Sequence, residues 1–581
     1  MEINTITEYI KYYGEHCSNP KALNDLNKAG DWQSFSAQEV VRQILGIAGG
    51  LKNMGLKPGA RVGLIGPPSA EWTIADLGIM GGGFISVPMY ANISEENFRF
   101  EITQAEIEVI FVAKPLAHQL ANKYREYFRQ IISLDSPPFF KHELSFKDLT
   151  SQQHPDPLTQ THPDDLVCIL YTSGTTGAPK GVELTHRNIT YFIPESLQNV
   201  GWSKKDKIIL FLPLSHIFGF LANLSMLLAD GSIYYMTDIQ QLIPMCKDVQ
   251  PTTIIFVPRL LEKMVQTIEQ RIKENSLLKR TLQQWAFDRA FKENLSWWDR
   301  FLHPLADFVL YTKIREIFGG KLNAAFTGSA RAEPRHLHFF NAVGIPLSEG
   351  YGLTEACPTC MNTWTQYRVG TVGKPLNDIS LKLSDTGELL VKGPHVMQGY
   401  YKSPELTQQV IDKEGWLHTG DVFTVDADGY YTFIGRLSEL CKTSYGEFVD
   451  LTKLEAELRT LPLVDYAIAL AENRPFVTAL LFPDLAAVDK IKEQVGMSGL
   501  SVKEVLQLDF VKKELDRALE KINARLNKGE RIKTYRFVTN AATVEGGELS
   551  PSYKMRRKFT HDKYKSLINE LYPVNLMAFD L

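Results

Sequence analysis

Six consecutive small residues lie between two β-favouring runs, and this is the strongest constraint in the chain. Residues 166–171 are apolar and strand-like, and Gly181-Val182-Glu183-Leu184 reads as a second strand. Between them come Thr172, Ser173, Gly174, Thr175, Thr176 and Gly177, then Ala178, Pro179 and Lys180. Glycine lets a backbone approach a ligand closely and accepts positive φ. Successive N–H groups in such a loop make an anion nest. Hydroxyls add donors, and a lysine adds a point charge suited to phosphate. The stretch therefore predicts a strand–loop–strand that holds a polyphosphate, with a ligand-free Gly/Thr hairpin turn as the bland alternative. It is not the G-x-x-x-x-G-K-[ST] loop, because no Ser or Thr follows Lys180 and a strand rather than a helix comes next.

At 581 residues the chain exceeds a single core, so two or more domains are expected. A hydrophobic content of 44% and a charged content of 22% are those of a soluble globular protein. The net charge of −4 argues against a general nucleic-acid binder. Six cysteines are too sparse for a disulfide framework, which points to a reducing, cytoplasmic compartment. Cys357 and Cys360 form a lone C-x-x-C with no visible zinc or redox partners, and their spacing reads as chance. Residues 1–10 have neither a basic region nor a long apolar core, so no signal peptide is expected. The most apolar stretch, 211–228, contains Pro213, His216 and Asn223, which predicts a buried element rather than a membrane span.

Along the chain, a helix is expected over 40–51, a buried strand over 61–66 and a helix over 71–80. Strands follow at 84–88 and 107–112. Alternation of this kind implies a parallel sheet and an α/β architecture. A strand at 208–211 leads to His216, which reads either as a satisfied core histidine or as part of a site. Residues 262–320 are a helix-rich insertion in which Trp285, Trp297 and Trp298 sit among Lys279, Arg280, Arg289, Lys292 and Arg300. Two readings stand for it: a solvated helix pair with its tryptophans packed inward, or an anchor at a membrane interface. Further on, Asp385-Thr386-Gly387-Glu388 predicts a hairpin turn. Apolar runs at 464–470 and 476–482 then open a smaller α+β region, and the charge run over 516–531 reads as a solvated helix face.

Tyr171-Thr172-Ser173-Gly174-Thr175-Thr176-Gly177-Ala178-Pro179-Lys180-Gly181-Val182 resembles the signature of the adenylate-forming, AMP-binding superfamily. Tyr351-Gly352-Leu353-Thr354-Glu355 resembles its second motif. A tyrosine between glycines suits a purine face, and Thr354 and Glu355 offer oxygens for Mg²⁺. Gly328 and Ser329 end a predicted strand in small residues, a shape suited to a flat base. Asp421 and Arg436 match the ribose-binding aspartate and the arginine that joins it. The insertion and the ending Ser550-Pro551-Ser552-Tyr553-Lys554-Met555-Arg556 resemble the long-chain fatty acyl-CoA synthetase branch, in which Lys554 corresponds to the adenylation lysine. Tyr553 stands where glycine is commoner, and Lys558 is a rival.

The resemblance implies an α/β protein with a large, multi-subdomain N-terminal domain of helix-flanked β-sheets over 1–436. A small, mobile α+β C-terminal domain over 437–581 follows a hinge. It implies ATP, Mg²⁺ and CoA as ligands and a long-chain fatty acid as substrate. Ser173, Thr175, Thr176 and Lys180 are implied to hold phosphates, Glu355 Mg²⁺, Tyr351 and Gly328 adenine, and Asp421 and Arg436 ribose. His216 and Phe218 are implied to lie at the acyl pocket, and Gly446 beside a pantetheine tunnel after domain rotation. The segment from Cys441 to Asp450 departs from the usual pattern, which leaves an acyl carrier protein open as the acceptor. Contact with a membrane surface and a non-catalytic acyl- or nucleotide-binding role are the other readings. The implied reaction is attack of the ionised fatty carboxylate on the α-phosphate of ATP, then transfer of the acyl group to a thiol.

Overall fold

The computed structural model describes residues 3–27, 29–172, 179–292, 296–356, 358–363, 366–437, 440–444, 448–494, 496, 499–543, 546–549 and 555–572. Its contacts divide the chain into two compact units. One comprises 1–419 with 424–433, and the other 420–423 with 434–581.

Two large sheets dominate the first unit. In one, Ile85–Met89, Arg61–Ile65, Val109–Val112 and Gln130–Ser133 run parallel in that order. Leu166–Thr172 joins Ile85–Met89 in parallel, and Lys180–Thr185 and Gly399–Tyr400 follow antiparallel. The parallel strands are almost wholly buried, as strands covered on both faces must be. The helix expected over 40–51 spans Ala37–Asn53 and starts in a capping box between Ser36 and Glu39. It packs on Ala70–Gly81 so closely that a Cβ on Gly78 would stand 2.6 Å from Ile47.

The second sheet runs through Ser232–Tyr235, Lys207–Leu210, Thr253–Phe256, Ala324–Thr327 and Leu347–Tyr351, all parallel. Its far edge is made by Leu23–Leu26 and Trp32–Phe35, with Leu23 in register with Ile233. No local signal marks a strand there, because its partner Ile233 lies about two hundred residues away. The apolar stretch 211–228 is a short connection and the buried 12-residue helix Ile217–Leu228. No helix among the described residues is long and apolar enough to cross a membrane.

The insertion holds the helices Pro258–Lys273, Leu277–Ala290, Trp297–Phe301, His303–Ala306 and Thr312–Ile317. One expectation is corrected here. Trp285 packs against the core, but Trp297 and Trp298 are exposed and stacked on each other with centroids 3.8 Å apart. Their short helix has no buried residue, so it presents no face to a core.

In the second unit, Val464–Leu470 and Val477–Pro483 pair antiparallel, and Ile532–Phe537 adds a parallel third strand. Helix Asp509–Asn523 buries Val511, Leu515, Leu519 and Ile522, a helical stripe, and leaves Asp516, Arg517, Glu520 and Lys521 exposed. Cys357 lies outside the described residues, whereas Cys360 is buried in the strand Cys360–Met361.

Away from these layers, His118 is buried on helix Pro115–Lys123 between two carboxylates. Its Nδ1 lies 2.7 Å from Glu143 Oε1 and its Nε2 2.9 Å from Asp135 Oδ2. Glu143 also accepts from the N–H groups of Phe139 and Phe140, so the imidazole fastens that loop. Burial alone lowers the His118 pKa, but the hydrogen bonds to Asp135 and Glu143 outweigh it and the net shift is upward. A raised folded pKa adds stability that is complete below the unfolded value of about 6.5 and is lost as pH rises through the folded value. His118→Gln, which keeps an amide donor but no charge, is expected to cost about 2–3 kcal/mol at low pH. Thermal unfolding of both proteins near pH 6 and pH 9 checks this, the gap in Tm being larger near pH 6.

Candidate active site

Part of the site lies at the carboxyl ends of parallel strands, where α/β sheets leave a crevice. Gly328 follows Ala324–Thr327, and Tyr351 ends the adjacent strand Leu347–Tyr351, with Thr327 in register with Glu349. A Cβ on Gly328 would come within 3.2 Å of the Gly350 carbonyl oxygen and 3.5 Å of the Phe218 ring. Glycine therefore permits this approach, and Gly328, Phe218 and the glycine preceding Tyr351 are brought together. Ser329 takes a left-handed φ of +65° and turns the chain away from the strand end. The Tyr351 ring stacks on Phe433, with centroids 6.5 Å apart and planes 26° from parallel. A Cβ on Gly352 would meet Pro358 Cα at 2.9 Å.

His216 caps helix Ile217–Leu228, its Nδ1 accepting from the Phe218 N–H at 3.2 Å. Burial pushes its pKa down, which favours the neutral ring with the proton on Nε2. Both His216 and Phe218 are half-buried.

Across the unit, Thr172 and Lys180 stand opposite each other at the ends of the paired strands Leu166–Thr172 and Lys180–Thr185. Ser173, Gly174, Thr175, Thr176 and Gly177 lie outside the described residues. The Lys180 ammonium sits 5.2 Å from the centroid of the Tyr400 ring. The Tyr400 hydroxyl donates to Glu355 Oε1 at 2.8 Å. The Met397 N–H donates to the Glu355 carbonyl at 2.8 Å, and Ala356 pairs with Val396, which anchors the Thr354–Glu355 turn to the segment carrying Tyr400. Lys180 and Glu355, 175 positions apart, are thus joined through one aromatic side chain. This fits a Mg²⁺ ion held between one carboxylate and substrate phosphates, the usual mode for that ion. No cluster of three His, Cys, Asp or Glu suited to a metal occurs among the described residues.

In the second unit, Arg436 Nε lies 3.2 Å from the buried Asp421 Oδ1. The Leu437 N–H donates to the Gly420 carbonyl at 2.7 Å, which ties the residue after strand Tyr431–Arg436 to the middle of strand Leu417–Val425. Gly446 lies outside the described residues, within a segment flanked by the paired strands Leu440–Lys442 and Phe448–Asp450. At the position where the resemblance leads one to expect proline, Asp450 caps helix Leu451–Leu458 by accepting from the Lys453 N–H at 3.0 Å. Lys554 also lies outside the described residues. Leu549 and Met555 pair antiparallel on either side of it. The rival Lys558 is exposed on helix Arg557–Lys563, beside Arg557, which is held by Glu455 at 2.7 Å.

Three residues of this arrangement were not read from the sequence: Tyr400, Phe433 and Glu349. Tyr400 follows a glycine in Met397-Gln398-Gly399-Tyr400, which signals nothing alone, since its partners lie far off in the chain. Glu349, two residues before Tyr351, accepts from the Ala332 N–H at 2.9 Å and so braces the turn after Gly328. Burial raises its pKa to about 7.

Residues 14–401 match the AMP-binding enzyme family, and residues 440–575 match the AMP-binding enzyme C-terminal domain. The chain belongs to the AMP-binding enzyme family. It is 30% identical over 564 residues to the long-chain-fatty-acid–CoA ligase FadD15 of Mycobacterium bovis, covering 94% of this chain and 93% of that protein. It is 29% identical over 592 residues to human long-chain-fatty-acid–CoA ligase 1, covering 93% and 82%. Its fold is shared with solved structures, two of which serve as examples. One is the adenylation domain of a Mycobacterium chelonae carboxylate reductase, with a TM-score of 0.71, 21% identity and coverage of 98% and 91%. The other is ATP-bound MatB of Rhodopseudomonas palustris, with a TM-score of 0.69, 22% identity and coverage of 97% and 99%.

Tyr400 tests the geometry directly. Tyr400→Phe removes the hydroxyl bond to Glu355 and keeps the ring over Lys180, whereas Tyr400→Leu removes both. ATP affinity measured by titration calorimetry with Mg²⁺ is expected to fall about tenfold in the first, as for loss of a hydrogen bond to a charged group. A further loss of several-fold is expected in the second, as for a cation–π contact.

Proposed function

We propose that this protein is an AMP-forming ligase that activates a long-chain fatty acid and passes it to CoA, with AMP and pyrophosphate as the other products. The observation that carries the reading is the Lys180–Tyr400–Glu355 array at the mouth of the strand pair around 173–178, in a chain of this family. The choice of a long-chain acid, and of CoA rather than a carrier protein, is supported by the named activities of relatives that align over more than nine-tenths of the chain.

A fatty carboxylate is already ionised near neutral pH, so no base is required for its attack on the α-phosphate. The barrier lies in charge repulsion and alignment, which positioning and fixed electrostatics lower. We assign Ser173, Thr175, Thr176 and Lys180, with the backbone of Thr172, Gly174 and Gly177, to the β- and γ-phosphates. Tyr351, Gly352, Gly328 and Ser329 receive adenine, and Asp421 with Arg436 receives the ribose hydroxyls. Thr354 and Glu355 are the Mg²⁺-side residues, and the ion when bound offsets charge on the phosphates as pyrophosphate leaves. Lys554 is assigned to the charge shared by carboxylate and α-phosphate, and His216 and Phe218 to the acyl entrance. We place a hinge at 437–440, beyond which the smaller domain rotates, withdraws Lys554 and brings Gly446 toward the incoming thiol. The CoA sulfur then bonds to the acyl carbon as the bond to AMP breaks. We place the protein in the cytoplasm, in peripheral contact with the membranes into which its substrate partitions.

Fatty-acid-dependent exchange of labelled pyrophosphate into ATP, without CoA and across chain lengths, tests the first half. Exchange is expected to peak with long chains, and its absence with every acid would refute the reading. Lys554→Ala is expected to lower exchange about a hundredfold or more, as for loss of a transition-state donor. Lys558→Ala is expected to leave it within about twofold, as for an exposed surface change. The reverse pattern would move the role to Lys558.

A further inference from the structure

The insertion carries an apolar surface that the nucleotide site does not use. Trp297 and Phe301 on one short helix, Leu305 on the next and Phe308 in the π-helical turn Asp307–Tyr311 are all exposed. Trp297 is 66% exposed, Phe301 70% and Phe308 79%. Helix Leu277–Ala290 lies beside this run, because the Gln283 amide donates to the Val309 carbonyl at 3.4 Å and the Tyr311 hydroxyl to that of Ala286 at 2.9 Å. It adds Leu278, 81% exposed, and Leu282, one turn on. Three of the chain's eight tryptophans fall within 285–298.

The charge around this face is one-sided. Over 277–316 the exposed cations among the described residues are Lys279, Arg280, Lys292, Arg300 and Lys313. Asp288 and Glu316 are the exposed carboxylates of the same residues. Lys292 pairs with Asp299 at 3.0 Å and Arg315 with Asp307 at 2.6 Å, so the excess rests on Lys279, Arg280, Arg300 and Lys313. A positive, aromatic face thus stands on a chain whose net charge is −4.

We propose that this face docks on an anionic lipid bilayer, with the Trp297–Phe308 ridge entering the interfacial layer and the surrounding cations meeting lipid phosphates. Tryptophan suits that layer because its ring is apolar and its N–H is polar, and amphipathic helices with basic rims lie in its plane. A second copy of the chain is a poorer occupant, since a self-paired face would bring like charges together. The inference rests on the proposed fatty-acid reading for its purpose, because the substrate is held in bilayers, but its test is independent of activity.

The full-length protein is sedimented with vesicles of phosphatidylcholine alone and with roughly one-quarter phosphatidylglycerol. Binding is expected to be at least about tenfold stronger to the anionic vesicles and to weaken at about 0.5 M salt. Trp297→Ser with Phe301→Ser, and separately Lys279→Glu with Arg280→Glu, are each expected to lower binding about tenfold or more. In the unaltered protein, bilayer lipids brominated near the headgroup are expected to quench tryptophan emission, and the Trp297 variant to lose most of that quenching. Pyrophosphate exchange with a water-soluble medium-chain acid is expected to be unchanged in both variants, which separates failure of docking from failure of the ligase reading. Equal binding by variants and parent, absence of quenching, or a concentration-dependent dimer abolished by the same substitutions would overturn the proposal.

Discussion

Strand Lys180–Thr185 is hydrogen-bonded along both edges, and the active-site geometry depends on that double pairing. On one side it meets Leu166–Thr172, which sets Thr172 across from Lys180 on either side of residues 173–179. On the other it meets Gly399–Tyr400, which sets Tyr400 across from Val182. The ammonium of Lys180, the ring of Tyr400 and the carboxylate of Glu355 then fall in line. A slip of one residue in a strand turns every side chain to the other face. Such a slip on either edge would aim Lys180 or Tyr400 away from the site.

The rest of the large unit supplies surfaces rather than reactive groups. Parallel strands end together, so the residues after Ala324–Thr327 and Leu347–Tyr351 line one crevice. A Cβ on Gly328 would stand 3.2 Å from the Gly350 oxygen, so glycine permits the close approach of these two strand ends. Glu349, buried and braced against Ala332, holds the turn that shapes this end of the crevice. A reaction limited by repulsion between carboxylate and phosphate needs such fixed donors and surfaces more than a proton-transfer group.

The smaller unit keeps its own order: the Asp421–Arg436 pair, the strands flanking Gly446, and the Leu549–Met555 pairing around Lys554. Asp421 is buried within the strand Leu417–Val425, whereas Arg436 ends the strand Tyr431–Arg436. The insertion differs, since it spends apolar residues on the outside. Its Pro258–Lys273 helix turns Leu261, Val265, Ile268 and Ile272 inward, whereas the Trp297–Phe308 run turns outward. Exposed tryptophans stacked on each other are costly in water, and a second environment that covers them accounts for their placement.

Local information sufficed where chemistry and periodicity coincide along the chain. The strand–loop–strand around Lys180, the alternating elements from Arg61 to Val112, the Asp385–Glu388 turn and the Tyr351–Glu355 motif could be read residue by residue. Each depends on φ/ψ preference, on a 2- or 3.6-residue period, or on donors close in sequence. Tertiary structure decided what such signals do not contain. The Leu23–Leu26 strand forms because Ile233 offers an edge, and Tyr400 matters only because Glu355, forty-five positions away, folds against it. The direction of Trp297 is of the same kind, since an apolar stripe at helical spacing reads identically whether it meets a core or solvent. Sequence by itself determined which groups were present and which local shapes they took. Which of them meet was set by long-range strand pairing and packing, whose energies depend on partners that no local window contains.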